Sequence, residues 1–165
     1  MTQRAEFTHQ HVIITVLLSL VTLGLYIPLW YIINRQAINT MVENKRLSMI
    51  GPITVLVLYG LSTIFSIITL FTDLFGATEA VNQYYANIDT LITYIGLVWT
   101  IILSFQVQAI FKTYCQGNEY AIGFVGLFTF FLGIFYLQFK VNQLIRYEEI
   151  QVWDIDSIGQ HLEND

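Results

Sequence analysis

The sequence is short of charge, of cysteine and of basic residues. Only 12% of its 165 residues are charged, about half the usual share for a soluble domain, so few polar side chains are present to cover a soluble fold. The single cysteine, Cys115, excludes an intrachain disulfide and a zinc site built on several thiolates; we expect a free thiol near a helix end. Seven basic against twelve acidic residues leave no basic surface for phosphates, which argues against a nucleic-acid partner.

Charge is missing altogether from four stretches, which cover residues 7–34, 47–72, 90–111 and 120–139. Each has about 20 residues or more, the length that an α-helix needs to cross roughly 30 Å of hydrocarbon. Hydrophobic residues make up 55% of the chain, and the mean hydropathy is +0.60. Because four such runs leave no polar mass to bury them, the sequence predicts an all-α integral membrane helical bundle with the lipid bilayer as its surroundings.

The pattern divides the chain into a single helical membrane domain, residues 1–147, and an acidic C-terminal tail, residues 148–165. We expect polar connectors between the four apolar segments at residues 34–50, 73–89 and 112–119. The tail carries six of the twelve acidic residues, which is typical of a solvated, partly disordered end or of a docking site for a basic partner.

Two motifs near the ends of the apolar region resemble each other. The first reads LGLYIPLWYIIN at residues 23–34 and the second LGIFYLQFKVN at residues 132–142, with Pro28 as a one-residue insertion in the first copy. The first copy, extended by Thr22, resembles the opening of an uncharacterised bacterial membrane family known as domain of unknown function 4234. The second copy departs from that pattern, because Gln138 stands where Trp is expected. The resemblance implies a small bacterial membrane protein and carries over no activity.

Residues that could carry catalysis or bind a cofactor do not form a recognisable pattern. His9 and His11 lack the spacing of a helix face and have no Cys or carboxylate cluster beside them, so we expect interfacial polar residues rather than metal ligands. We predict no catalytic residue, no cofactor and no metal, and therefore no enzyme. No charged residue lies near the middle of an apolar segment, which disfavours an ion-coupled transporter.

Small and polar residues recur at helical spacing in the two central segments. Those that share one helix face are Ser62, Ser66 and Thr69 in the second segment, and Gly96, Thr100, Ser104 and Gln108 in the third. Such stripes favour close packing of the two segments as an antiparallel pair. The alternative is a polar lining of a conduit.

The positions of the basic residues favour one of two topologies. If all four segments cross, the basic residues divide four against three, which is almost no positive-inside bias. If the first and last segments are re-entrant or interfacial hairpins that turn at Gly24, Pro28 and Gly133, all seven lie on the cytoplasmic side with both termini. Cys115 is expected on that side in either case. Four kinked crossing helices remain the alternative.

Two classes of function are compatible with this pattern. The first is a structural or accessory protein of the bacterial inner membrane without catalytic activity, which binds a membrane-protein partner or a second copy through its helices and its tail. The second is a small channel or transporter subunit.

Overall fold

The chain is helical throughout the part that the structure describes. The computed structural model describes Phe7 and residues 10–76 and 78–162, with side chains as far as Glu149, and these residues contain no strand. The six helices are α1 (Val12–Val21), α2 (Tyr26–Met41), α3 (Ile50–Leu74), α4 (Glu79–Gly117), α5 (Gly126–Leu132) and α6 (Ile134–Leu162). The predicted all-α class is therefore confirmed for the described residues, but six helices stand where four apolar segments were predicted.

The two additional helices arise because the first and last apolar segments are each interrupted at a Leu-Gly pair. Leu23 and Gly24 have φ of 51° and 88° between α1 and α2, and Gly133 has φ of 47° between α5 and α6. Glycine adopts positive φ readily because it has no Cβ. At the first break, Thr22 Oγ1 accepts a hydrogen bond of 2.9 Å from the N–H of Tyr26, the first residue of α2, which has no acceptor within its own helix.

The connection between α3 and α4 is much shorter than predicted. Residues 73–89 were expected to form a polar connector, but α4 begins at Glu79 and the connection comprises only residues 75–78. Polar side chains suit the end of a helix that reaches water as well as they suit a loop. Glu79 lies in the first turn of α4, where a negative charge interacts favourably with the helix dipole. The predicted connector is therefore wrong, and Asp89 belongs to α4.

The other connectors are also shorter than the polar stretches suggest. The helix α2 continues to Met41, into the predicted connector 34–50, and α4 continues to Gly117, into the predicted connector 112–119. The helix α6 passes residue 147, where the acidic tail was expected to begin, and residues 163–165 of that tail lie outside the described residues.

A buried core joins α2, α4 and α6. Trp30 and Tyr31 of α2, Val107 and Phe111 of α4, and Leu137 of α6 are all inaccessible to solvent. The α4 residues of this core come from the second half of that helix, and Val55 in the second turn of α3 also belongs to it.

The connector between α2 and α3 is fixed to this core by Leu47. Its N–H donates to Asn39 Oδ1 at 2.6 Å, and its carbonyl accepts from Arg35 Nε at 3.0 Å. Two residues earlier, Lys45 Nζ donates to Thr113 Oγ1 at 2.9 Å. The α2–α3 connector and the end of α4 therefore lie at the same end of the molecule.

In the part of the chain that the structure describes, two helices are long and apolar enough, by length and composition, to cross a membrane. They are α3, with 25 residues, and α4, with 39. They pack antiparallel, because Gly51 near the start of α3 lies against Leu103, whereas Tyr59 lies against Gly96. Only 6% of the apolar 18-residue window of α3 and 22% of that of α4 is buried.

Candidate functional site: a polar seam between the helices

Asp89 joins the two long helices through its carboxylate. Ser62 Oγ donates to Asp89 Oδ1, and Ser66 Oγ donates to Asp89 Oδ2 at 2.7 Å. Thr93 Oγ1 lies 2.8 Å from Ser62 Oγ and extends the network by one helical turn. Ser62 is the central residue of α3. A carboxylate that the sequence pattern assigned to a connector therefore faces the middle of an apolar helix.

Gly96 allows an aromatic ring of α3 to approach α4. A Cβ at position 96 would lie 2.6 Å from the ring of Tyr59. The Tyr59 hydroxyl lies 3.2 Å from Thr100 Oγ1, which donates to the Gly96 carbonyl at 2.8 Å. Gly96 and Thr100 therefore contact Tyr59 rather than the serines of α3. We call these side chains together the polar seam: Tyr59, Ser62, Ser66, Asp89, Thr93, Gly96 and Thr100.

Ser104 and Gln108 do not belong to the polar seam. Ser104 Oγ lies 2.6 Å from the hydroxyl of Tyr31 on α2, and both side chains are fully buried. A Cβ at Gly133 would lie 3.4 Å from the same Ser104 hydroxyl. Gln108 is buried one turn further along α4. The second half of the predicted stripe therefore faces the core of the bundle, whereas the first half faces α3.

Thr69 is near the far end of the α3–α4 pair. Its hydroxyl donates to the Phe65 carbonyl in its own helix at 2.9 Å. Together with Ser66, Asp73 and Glu79 it lines an open groove between the two helices. Because residues 47–111 contain no Lys or Arg, this groove is acidic.

A second polar cluster connects the two Leu-Gly motifs. The Trp30 indole N–H donates to Gln138 Oε1 at 2.6 Å, and both side chains are fully buried. The Gln138 amide donates to Asn142 Oδ1 at 3.0 Å and to the Gln10 carbonyl at 3.2 Å, and Tyr26 donates to Gln10 Oε1 at 3.0 Å. Trp30 and Gln138 occupy equivalent positions in the two motifs. The departure from Trp at position 138 thus supplies the acceptor that the Trp30 indole uses.

The residues predicted to form the repeat turns have different surroundings. Gly24 and Gly133 have positive φ at the two helix breaks. Pro28 is buried in the first turn of α2, where its missing N–H costs no helical hydrogen bond. The structure places Gly24 close to Tyr59 of the polar seam, whose ring lies 4.0 Å from a Cβ built at that position.

Lys140 of α6 is nine-tenths buried among aromatic rings. Its ammonium lies 5.5 Å from the ring centres of Phe124 and Tyr136 and 5.6 Å from that of Phe139, distances at which the ring faces attract a cation. Burial lowers the pKa of the Lys140 ammonium, and the nearby Cys115 acts in the opposite direction. The rings stabilise a charge that burial would otherwise make unfavourable.

Cys115 and the histidines provide no metal site in the described residues. Cys115 is a free cysteine near the end of α4 but only 2% exposed. His11 directly precedes α1, whereas His9 lies outside the described residues. No group of three or more His, Cys, Asp or Glu within the described part of the chain could hold a metal ion.

The fold and the site define a helical protein with two candidate membrane spans and a polar seam between them. Comparison of the chain with protein-family models, with curated proteins and with solved structures finds no match.

Proposed function

We propose that the chain is a multi-pass protein of the bacterial inner membrane that acts through its helices as a structural or accessory protein, without catalytic activity. The observation that supports a membrane location best is the exposure of α3 and α4. A core helix of a soluble protein buries its apolar residues, but the apolar windows of these helices are only 6% and 22% buried. Neither helix lies at the N-terminus, where a signal sequence would be.

In this proposal only α3 and α4 cross the bilayer. The helix α1 has ten residues and α5 seven, so they are about 15 and 10 Å long, too short to cross roughly 30 Å of hydrocarbon. Both ends of α5 lie against neighbouring residues of α4, since Gly126 approaches Phe105 and Gly133 approaches Ser104. The helix α5 therefore runs across α4 rather than along it, which supports an orientation within one leaflet.

The charge distribution supports the same topology. Lys45 contacts Thr113, which places two predicted basic connectors at one end of the α3–α4 pair. The other end, with Asp73 and Glu79, has no basic residue between positions 47 and 111. The positive-inside rule then assigns the basic end and both termini to the cytoplasm. The resemblance to domain of unknown function 4234 is consistent with a bacterial membrane protein and carries over no activity. The partner in this proposal is another membrane protein or a second copy.

The topology is tested with single cysteines in a Cys115→Ala background. Ser48→Cys reports the α2–α3 connector and Glu79→Cys the opposite end, and both positions are exposed. In intact cells a membrane-impermeant maleimide should label Glu79→Cys, whereas Ser48→Cys should need permeabilised cells. Reporter fusions at the N-terminus and after Glu149 should give the same compartment as the connector. A terminus on the opposite side from the connector would sink the hairpin topology in favour of four crossing helices.

A channel or transporter subunit is the second candidate, and Asp89 is the observation that favours it. A carboxylate within a membrane helix pair usually faces a cavity or an ion pathway. Asp89 lies opposite Ser66, which is eight residues, or about 12 Å along the helix, from the end of α3. In proteoliposomes a cation conduit should lose flux with Asp89→Asn and retain it with Asp73→Asn. Absence of any flux through the unmodified protein would remove this candidate.

A further inference from the structure

Along the direction of α3 and α4 the molecule has two halves. The narrow half consists of residues 56–74 of α3 and 79–95 of α4, and the wide half contains the rest of these two helices together with the helices packed around them. In α3 the buried residues are Pro52 and Val55, and in α4 burial begins at Gly96. Residues 56–74 and 79–95 therefore contain no fully buried residue. In the narrow half the two helices contact each other and little else, whereas all the helices that pack around them lie beside the other half.

Apolar side chains cover the outer surface of the wide half. On α1 and the turn after it, Leu20, Val21 and Leu23 are 68%, 81% and 72% exposed. On α5, Phe131 is 71% exposed and Leu127 62%. Water would be a poor solvent for this surface, and the short helices that carry it do not reach far along α3 and α4.

We propose that the protein is a membrane wedge that prefers bilayers in which the leaflet around its basic end is convex. This inference rests on the proposed function, in which α3 and α4 cross the bilayer. The apolar residues of α1 and α5 then occupy acyl-chain space in one leaflet only, and the other leaflet contains two helices. The leaflet that contains the wide half needs a larger area than the opposite leaflet. Bending the membrane so that this leaflet is convex provides the extra area.

The chemistry of the wide end specifies its lipid partner. Arg35 donates to the Leu47 carbonyl of the α2–α3 connector, which also contains Lys45 and Arg46, and Lys45 contacts Thr113, the neighbour of Lys112 in the chain, so these four basic residues lie at the same end of the wide half. Lys and Arg near the membrane surface attract anionic headgroups. Helices inserted into one leaflet are sensitive to curvature and to lipid composition. The occupant of the apolar surface is therefore the acyl region of an anionic leaflet.

The test uses giant vesicles that contain anionic lipid and the full-length chain, in the Cys115→Ala background. Reconstitution inserts the protein in both orientations, and an impermeant fluorescent maleimide labels only cysteines on the outer surface. The Ser48→Cys variant therefore reports copies whose wide end faces outwards, and Glu79→Cys reports copies whose narrow end faces outwards. A membrane tube pulled outwards from such a vesicle has a convex outer leaflet.

We expect labelled Ser48→Cys copies to be enriched in the tube, relative to a lipid dye, by roughly twofold or more, which needs a preference of only about 0.4 kcal/mol. Labelled Glu79→Cys copies should be depleted by a similar factor, so each variant is the control of the other. Equal densities in both variants would overturn the wedge. Enrichment of both would also overturn it, because a second copy covering the apolar surface would then explain the sorting better. Failure of the protein to float with vesicles, or its extraction by alkaline carbonate, would instead contradict the membrane location itself.

Discussion

Asp89 accepts hydrogen bonds at both carboxylate oxygens, so its removal leaves the hydroxyls of Ser62 and Ser66 without this acceptor. We expect Asp89→Ala to lower the free energy of unfolding in detergent by about 1–3 kcal/mol. If Ser62 and Ser66 are changed to Ala as well, the loss should shrink, because the two hydroxyls that donate to Asp89 are then removed together with their acceptor. Thermal unfolding of the single and triple variants measures the difference. Asp73→Ala is the matched control, since among the described residues its carboxylate accepts one long bond of 3.3 Å, from half-buried Asn82, and an equal loss there would contradict the expectation.

Gly96 and Gly60 provide a matched pair of glycines on facing helices. A Cβ at position 96 would lie 2.6 Å from the Tyr59 ring, whereas a Cβ at position 60 meets nothing within 4 Å. Both substitutions to Ala gain similar helix propensity. We expect Gly96→Ala to be less stable than Gly60→Ala by about 1–3 kcal/mol, because the helices must separate to admit the methyl group. Melting temperatures in one detergent give the comparison, and equal values would show that the helices are not in close contact at Gly96.

Most of the polar seam follows from residue spacing, whereas the partner of Gln138 in the second polar cluster does not. Asp89, Thr93, Gly96 and Thr100 recur at three- and four-residue intervals on one helix face, so the stripe predicted from Gly96 onwards could have been extended backwards. The prediction stopped because Asp89 was assigned to a connector. The role of Gln138 has no local signal, since its donor Trp30 is 108 residues away in the sequence.

Among the helical elements, the break between α1 and α2 has an unusual residue in the left-handed region. Leu23 has φ of 51°, a conformation that costs an L-residue about 1–2 kcal/mol. We expect Leu23→Gly to leave the melting temperature unchanged or to raise it, because glycine removes this strain. Leu20→Gly is the control, since Leu20 is similarly exposed but lies inside α1, where glycine costs about 1 kcal/mol. Destabilisation by both variants to the same extent would show that Leu23 is not strained.

The existence of the helices could be predicted better than their ends. Long apolar runs indicate helices, and α3 begins and ends within two residues of the predicted second segment. The third segment was predicted to begin at Thr90, eleven residues after the observed start of α4 at Glu79. The apolar pattern shows which part of a helix is surrounded by apolar groups, but a helix can continue into a polar stretch without that pattern. In the last segment, a break at Gly133 was expected from the Leu-Gly motif in the hairpin topology alone, because composition does not specify the φ of Gly133 that divides α5 from α6.

For the molecule as a whole, the charges at the two ends should determine how it inserts. Thr78 and Glu79 lie at the end of the α3–α4 pair that has no basic residue. We expect the combined variant Thr78→Lys and Glu79→Lys to insert less efficiently or in mixed orientations, because it opposes the positive-inside bias. Labelling of Ser48→Cys from outside intact cells should then rise. The control, Thr78→Gln with Glu79→Gln, removes the negative charge without adding positive charge and should keep Ser48→Cys protected from the external label. If Ser48→Cys is equally protected in the Lys variant, these charges do not control insertion.

The cluster around Gln138 also has a consequence for how the protein is made. The Gln10 carbonyl accepts a hydrogen bond from Asn142, 132 residues later in the chain. At translation rates of roughly 5–20 residues per second, about 7–26 s separate the synthesis of these two residues. In the proposed topology, the polar face of the α1–α2 hairpin has to stay near water during that interval or be shielded by the insertion machinery. This hairpin can therefore take its final place only after α6 has left the ribosome, although it is synthesised well before α6.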